Sequence, residues 1–160
     1  MNKNNPLSMT DNKILTALKS LPIFAEMSDE DITKILSVAM LQFFPPNYLI
    51  IKEGDPGDFM CIIKKGNVEI FKESDELAFH KTNLAVLNEG DVFGEMALIS
   101  NRPRNASART INDAEIFILK KSDFDNLLRE NTALASKISR DVIERMKKNE
   151  QAASDTSKFI

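Results

Sequence analysis

The chain has 160 residues, enough for one domain with a substantial core, and its 42% of hydrophobic and 28% of charged residues are typical of soluble globular domains. The net charge of −3 argues against nucleic acid as a main partner, because a phosphate backbone selects basic faces. The sequence begins without a signal-peptide pattern and has no apolar run of membrane-spanning length, so we expect a cytoplasmic protein without membrane contacts.

The first part of the chain is predicted to be helical after a loose start. Residues 1–10 are polar and rich in asparagine, and we expect them to be flexible. Over residues 14–21 the apolar side chains recur at helical spacing, and Pro22 is expected to end that helix. A second helix is predicted from Ser28, because a serine N-cap followed by acidic residues suits the positive end of a helix. We expect it to end at the segment FFPPN, residues 43–47.

The middle of the chain changes to short β-rich runs separated by glycine turns. The segment Lys65-Gly66-Asn67 lies between the runs FMCII and VEIF and predicts a β-hairpin. Short strands at this spacing are typical of a β-sandwich or a small barrel. Further strands are predicted at residues 84–87, 91–93, 107–111 and 114–119.

The chain is predicted to turn helical again after the strands. Ser122 is the expected N-cap, and the apolar pattern fits either one helix or two with a break near Asn131, the last part running over 134–146. Residues 147–160 form a polar tail or a linker to an unseen effector. We therefore predict a mainly β, α+β domain over residues 11–146, an antiparallel β-barrel or jelly roll flanked by N-terminal and C-terminal helices.

The segment 93–108, FGEMALISNRPRNASA, carries the strongest functional signal. Gly94 allows a tight turn into a short helix whose unpaired N–H groups suit an anion, and Arg104 can clamp the same anion with its planar fork of donors. The side chains after Arg104 are small enough for the backbone to approach a ligand. A carboxylate would repel an anion, so Glu95 is expected to bind another part of the ligand, such as a sugar hydroxyl. The segment therefore predicts a site for the ribose-phosphate unit of a nucleotide.

This segment resembles the phosphate-binding cassette of the cyclic nucleotide-binding domain family, and the upstream segment 50–71 resembles that family's early barrel strands. The likeness covers about residues 14–146. It implies that Glu95 accepts a hydrogen bond from the ribose 2′-hydroxyl and that Arg104 pairs with the cyclic phosphate. The resemblance also implies ligand contacts from the rest of the cassette: Phe93, Gly94, Met96, Ala97, Asn105, Ala106 and Ser107.

The chain departs from the family pattern at Asn105, where the family usually has alanine, serine or threonine after the arginine. A hydroxyl at that place is associated with cGMP, whereas an asparagine side chain carries both a donor and an acceptor. Asn105 could therefore address guanine or cap the loop, and Ser107 adds little discrimination. We expect cAMP as the ligand in preference to cGMP.

The resemblance further implies that parts of the domain move when the ligand binds. In this family the cassette shifts on ligand binding, and the C-terminal helix folds over the base as a lid. The helix predicted over 134–146 offers Arg145, and as a second choice Arg140, for a contact with the base. We expect the ligand to favour one of two helix positions, and the exposed side of that helix could form a homodimer seam.

The sequence offers no constellation for catalysis. His80 is the only histidine and Cys61 the only cysteine, so we expect neither a metal cluster nor a Cys–His pair, and no cofactor. Cys61 is expected to be a buried apolar side chain. We predict a non-enzymatic sensor that acts on a downstream protein effector or an effector domain missing from this chain. The alternative is a structural or interaction module of the same fold that binds no nucleotide.

Overall fold

The computed structural model describes residues 9–73, 81–138, 143–144 and 148. The helices are α1 (Met9–Lys19), α2 (Asp29–Ser37), α3 (Lys121–Glu130) and α4 (Thr132–Ala135), with single 3-10 turns at Pro22–Phe24 and Glu95–Leu98. The strands are β1 (Met40–Phe44), β2 (Leu49–Ile51), β3 (Phe59–Lys65), β4 (Val68–Glu73), β5 (Lys81–Leu87), β6 (Val92–Phe93), β7 (Ser107–Thr110) and β8 (Ala114–Lys120).

The strands form two antiparallel four-stranded sheets, with the orders β1-β8-β3-β6 and β2-β7-β4-β5. The helices precede and follow the strands in the chain, which confirms the mainly β class with helices at both ends. Within the described ranges the strands make two sheets, as in a jelly roll, and no closed barrel. The helix α1 begins at Met9, two residues before the predicted domain boundary at residue 11.

The core is divided into two clusters that share strand β3. Met60 and Ile62 pack with the helices, whereas Cys61 and Ile63 pack between the two sheets. Both faces of β3 are therefore covered, which explains why its sequence is a continuous apolar run rather than an alternating one. Cys61 is fully buried and unpaired, as the sequence predicted, and burial raises the pKa of its thiol well above the usual range.

The predicted hairpin around Gly66 is wrong, although the turn exists. Strand β3 pairs with β6 and β8, whereas β4 pairs with β5 and β7, so the turn carries the chain from one sheet to the other. A Cβ atom on Gly66 would lie 2.5 Å from the carbonyl oxygen of Asp113, and φ is +95°. This close approach to the β7–β8 turn requires glycine, and a pattern of local hydrophobicity cannot distinguish it from a hairpin.

Two helix boundaries also differ from prediction. Helix α2 ends at Ser37, and Met40–Phe44 forms strand β1 against β8, where the paired residues are 70 or more positions apart. Helix α3 begins at Lys121 rather than after Ser122, and Lys120 occupies the N-cap without a side-chain bond. The Lys121 N–H donates to the carbonyl oxygen of Asp58 at 2.8 Å, so a neighbouring loop satisfies the helix start.

Other local signals are confirmed. Ser28 caps α2, and its hydroxyl accepts from the Asp31 N–H at 3.2 Å while the Asp31 carboxylate accepts from the Ser28 N–H at 3.1 Å. The predicted break near Asn131 separates α3 from α4, and the Asn131 side chain accepts from the Leu134 N–H at 3.0 Å. Most of the predicted helix 134–146 beyond residue 138, and the tail 147–160, lie outside the described residues.

Asp31 also pairs with Lys137 and thereby ties α2 to the segment after α4. The hydrogen bonds from Lys137 and the Ser28 backbone lower the pKa of the Asp31 carboxyl from 3.8 to about 2. Because the folded pKa is depressed, this stabilisation is complete above about pH 4 and is lost as the pH falls towards 2.

We expect Asp31→Asn to lower the free energy of unfolding at pH 7 by about 0.5–1 kcal/mol, since the charge is lost but an amide oxygen remains to accept at the cap. The difference from wild type should shrink as the pH falls below 4, which urea denaturation at several pH values measures. Asp29→Asn is the control, because Asp29 lies in the same helical turn and is 67% exposed at its ion pair with Lys19. Equal acid profiles for the two variants would contradict the assignment.

Candidate functional site

The cassette begins where strand β6 ends and the chain reverses at Gly94. Gly94 has φ +77°, and the 3-10 turn Glu95–Leu98 follows directly, with the Ala97 N–H donating to the Gly94 carbonyl at 3.1 Å. A Cβ atom on Gly94 would lie 2.7 Å from Nη1 of Arg104 and 3.3 Å from the carbonyl oxygen of Phe59. Glycine is therefore required both by the backbone angle and by the close approach of the arginine.

The loop that carries Arg104 is held against the glycine turn between β2 and β3. The Arg104 N–H donates to the Asp55 carbonyl at 2.8 Å, and the Gly54 N–H donates to the Arg104 carbonyl at 2.9 Å. Pro56 and Pro103 form a further antiparallel bridge between the two segments. The two sequence motifs, about 50 residues apart, thus meet at one place and position the same arginine.

The Arg104 guanidinium points into the protein, and the residue is only 6% exposed. Nη1 donates to the Gly94 carbonyl at 3.4 Å, and Nη2 donates to the Phe59 carbonyl. The guanidinium carbon also lies 4.8 Å from the centre of the Phe59 ring. Nε is buried and has no hydrogen-bond partner in the described part of the chain. A buried donor of a charged group without a partner is costly, so this atom is suited to an acceptor supplied by a ligand.

Arg104 keeps its positive charge although it is buried. Removal from solvent lowers the pKa of the guanidinium, while the carboxylates of Asp58 and Glu95 are close enough for their charges to oppose that shift. An arginine remains protonated in such a setting because its ordinary pKa is above 12. The site therefore presents a positive charge of low solvation, which favours an anion.

Glu95 is half-buried at the first position of the 3-10 turn, with its carboxylate in the electrostatic range of Arg104. The structure thus brings together the acid and the base that the sequence singled out. Asn105 is half-buried beside Arg104. Together with Arg104 it lines a small cavity of about 10 Å³ beside Gly57 and Met96.

The other predicted contact residues turn their side chains inward. Phe93 and Ala106 pack between the sheets, and Met96 packs in the helical cluster. The Ser107 hydroxyl accepts from the Glu53 N–H at 2.9 Å, so it already holds the neighbouring turn. The side chains that are buried in this way belong to Phe93, Met96, Ala97, Ala106 and Ser107.

Sequence reasoning did not single out two residues near the cassette, Phe59 and Lys121. Phe59 begins β3 and contacts Arg104, and Lys121 donates from Nζ to the Leu98 carbonyl at the end of the 3-10 turn, at 3.1 Å. No periodicity marks these contacts, because each joins residues more than 20 positions apart. Asp58 ends the Gly-Asp turn of the segment 50–71 that resembles the family, and its carboxylate lies in the electrostatic range of Arg104. The proposed lid residues, Arg140 and Arg145, lie outside the described residues.

In residues 9–73, 81–138, 143–144 and 148, no group of three or more His, Cys, Asp and Glu residues could hold a metal ion. In the same residues, no helix has the length and apolarity needed to cross a membrane.

A two-sheet domain with flanking helices and a cassette built around an arginine and a glutamate defines a class of nucleotide-binding modules. The family model for the cyclic nucleotide-binding domain matches residues 41–131. The chain therefore belongs to the cyclic nucleotide-binding domain family, and it is a regulatory domain of that kind.

Proteins of two cyclic-nucleotide-dependent kinases are similar in sequence to this chain. The chain is 32% identical over 111 residues to a cAMP-dependent protein kinase regulatory subunit of Pyricularia oryzae, covering 69% of this chain and 27% of that protein. It is 31% identical over 121 residues to isozyme 1 of the cGMP-dependent protein kinase of Drosophila melanogaster, covering 75% and 16%. The chain thus spans about a quarter or less of the length of these two relatives.

A solved structure has the same fold over nearly the whole chain. It is the N-terminal domain of a transcriptional regulator from Streptomyces coelicolor A3(2), which is 25% identical, with a TM-score of 0.71. The match covers 87% of this chain and 98% of that one. The resemblance to the cyclic nucleotide-binding domain family, predicted from two sequence motifs, is thereby confirmed.

Proposed function

We propose that this chain is a non-catalytic sensor that binds cAMP, in preference to cGMP, in the cassette and passes the bound state to its C-terminal helices. One observation carries this proposal: Arg104 is 6% exposed, held at the carbonyls of Gly94 and Phe59, and has a buried Nε donor without a partner in the described residues. A phosphate oxygen would satisfy that donor and compensate the buried charge.

Each cassette residue has a part in this proposal. Arg104 pairs with the cyclic phosphate, and Glu95 accepts a hydrogen bond from the ribose 2′-hydroxyl. The carboxylate of Glu95 lies in the electrostatic range of Arg104, which supports this division because a ligand with an anion and a nearby hydroxyl would suit both groups. Backbone groups of Phe93, Gly94, Met96, Ala97, Asn105, Ala106 and Ser107 line the same ligand.

The choice of base rests on Asn105. This position directly follows the arginine and does not carry the hydroxyl that is associated with cGMP in the family. Asn105 is half-buried, so its amide can serve the loop rather than the base. The named relatives include both a cAMP-dependent and a cGMP-dependent kinase, so both ligands belong in the test.

The coupling to the C-terminal helices is supported by packing. Met96 and Leu98 of the cassette belong to the same buried cluster as Phe124 of α3 and Leu134 of α4. Lys121 at the start of α3 also holds the Leu98 carbonyl. A movement of the 3-10 turn would therefore change contacts with both helices, which gives the ligand a way to favour one helix position.

Ligand binding would act on other proteins or domains through the C-terminal helix of this chain. We propose that the helix predicted over 134–146 closes on the base through Arg145 or Arg140, and that the signal passes to a protein effector or effector domain. A homodimer through that helix belongs to the same proposal. Nucleic acid and membrane are not proposed as partners.

We expect isothermal titration to give a dissociation constant of about 1 μM or lower for cAMP, equivalent to about −8 kcal/mol, and a higher one for cGMP. Ligand at 100 times that constant should raise the free energy of unfolding by about 2.7 kcal/mol. The control ligand is 5′-AMP, which has the same base and ribose but an open phosphate. Absence of binding by both cyclic nucleotides would refute the sensor and favour the nucleotide-free module, and opening of the cyclic phosphate during incubation would refute the non-catalytic role.

A further inference from the structure

The Arg104 guanidinium lies over an aromatic ring, that of Phe59. The ring centre of Phe59 lies 4.8 Å from the guanidinium carbon, which is within the range of a cation–π interaction. Phe59 is half-buried at the first position of β3, where it pairs with Lys120 of β8. The ring is thus attached to a strand whose two faces are both covered by the core, next to the arginine.

Phe59 contacts the arginine in two different directions. Its backbone carbonyl accepts from Nη2, while the guanidinium carbon lies over its ring. The Gly94 carbonyl accepts from Nη1 at 3.4 Å. The two carbonyls and the ring together restrict where the remaining N–H groups of the guanidinium point.

A ring and a carboxylate would hold an arginine with different consequences. A carboxylate binds the N–H edge and would compete with a ligand phosphate for the same donors. A ring attracts the cation by its quadrupole and does not offer a carboxylate oxygen that would take the place of the phosphate. Nε, the buried donor without a partner in the described residues, belongs to that edge.

We propose that Phe59 is a positioning residue for Arg104, holding the guanidinium by its ring so that the N–H edge stays available to the ligand phosphate. This inference rests on the proposed cyclic nucleotide site. It assigns to a side chain of β3 a part in phosphate recognition, although Phe59 itself does not touch the ligand.

The test compares Phe59→Leu, which keeps an apolar side chain but removes the ring, with Phe59→Tyr, which keeps the ring. We expect Phe59→Leu to weaken cAMP binding by about 3- to 30-fold and Phe59→Tyr to change it by less than about 2-fold. In an Arg104→Lys background Phe59→Leu should weaken binding by a smaller factor, because the planar group that it positions is absent. Phe44→Leu is the control for loss of a half-buried aromatic ring, since Phe44 packs against Tyr48 with the ring centres 5.1 Å apart.

A second measurement does not depend on ligand. In the NMR spectrum the Arg104 Nε–H signal, assigned with Arg104→Lys, should be shifted by the Phe59 ring current in wild type and in Phe59→Tyr, and should lose that shift in Phe59→Leu. An unchanged signal in Phe59→Leu would overturn the inference. Equal affinities of Phe59→Leu and Phe59→Tyr would also overturn it. If wild type bound no cyclic nucleotide but the signal behaved as expected, only the proposed function would fail, and Phe59 would still be the residue that positions Arg104.

Discussion

Arg104→Ala is expected to weaken cAMP binding by about 30-fold or more. Loss of one partner of a buried charge pair costs about 2–5 kcal/mol, and Arg104 is the buried cation of the cassette, at 6% exposure. The variant should remain folded, because the side chain brings an unsatisfied donor into the interior as well as two hydrogen bonds. Titration calorimetry gives the affinity, and thermal unfolding shows that the fold is intact.

Arg109→Ala is the matched control for this prediction. Arg109 also lies over a phenylalanine ring, at 4.9 Å from the centre of Phe71, but it belongs to the middle of strand β7 and pairs there with Leu49 and Glu69. Its removal should change the affinity by less than about 2-fold. If Arg104→Ala bound cAMP as tightly as wild type, or if both variants lost the same affinity, Arg104 would not be the phosphate ligand.

Gly94→Ala is expected to reduce both stability and binding. A positive φ costs a non-glycine residue about 1–2 kcal/mol, and the new Cβ would lie 2.7 Å from Arg104 Nη1. The guanidinium would have to leave the Gly94 and Phe59 carbonyls, so we expect the affinity for cAMP to fall by about 10-fold or more. Urea denaturation measures the first effect and titration calorimetry the second.

Gly90→Ala separates the backbone cost from the displacement of the arginine. Gly90 has φ +85°, and its nearest neighbour for a new Cβ is the Lys13 side chain at 3.3 Å, away from the cassette. Both variants should lose the backbone cost of a positive φ, about 1–2 kcal/mol, but only Gly94→Ala should also displace Arg104 and lose much affinity. A similar loss of affinity in both would mean that general strain, and not the contact with Arg104, explains the result.

The helical parts of the fold were predictable because their signals are local. The N-cap at Ser28 and the break at Asn131 depend on side chains that bond to the backbone three residues away. The start of α3 was predicted at the wrong residue for a related reason. Its first N–H is satisfied by the carbonyl of Asp58, a residue more than 60 positions earlier, so the adjacent serine gave a misleading local signal.

The residues of the candidate site also differ in whether a local sequence signal reveals them. Glu95 and Arg104 were found from the sequence because they lie in one short segment whose composition is chemically unusual. Phe59 was not found, since 45 residues separate it from the arginine that it contacts. The proposed lid at Arg145 or Arg140 stays a prediction.

The sequence by itself determined the family, the helix–strand–helix order and the acid and base of the cassette, because these depend on residue types at short spacing. Only the tertiary structure decided that the turn at Gly66 joins two sheets and that Arg104 is turned inward beneath Phe59. Both depend on which distant backbone segments pair, and that pairing is set by burial of the whole core and not by any local stretch of the chain.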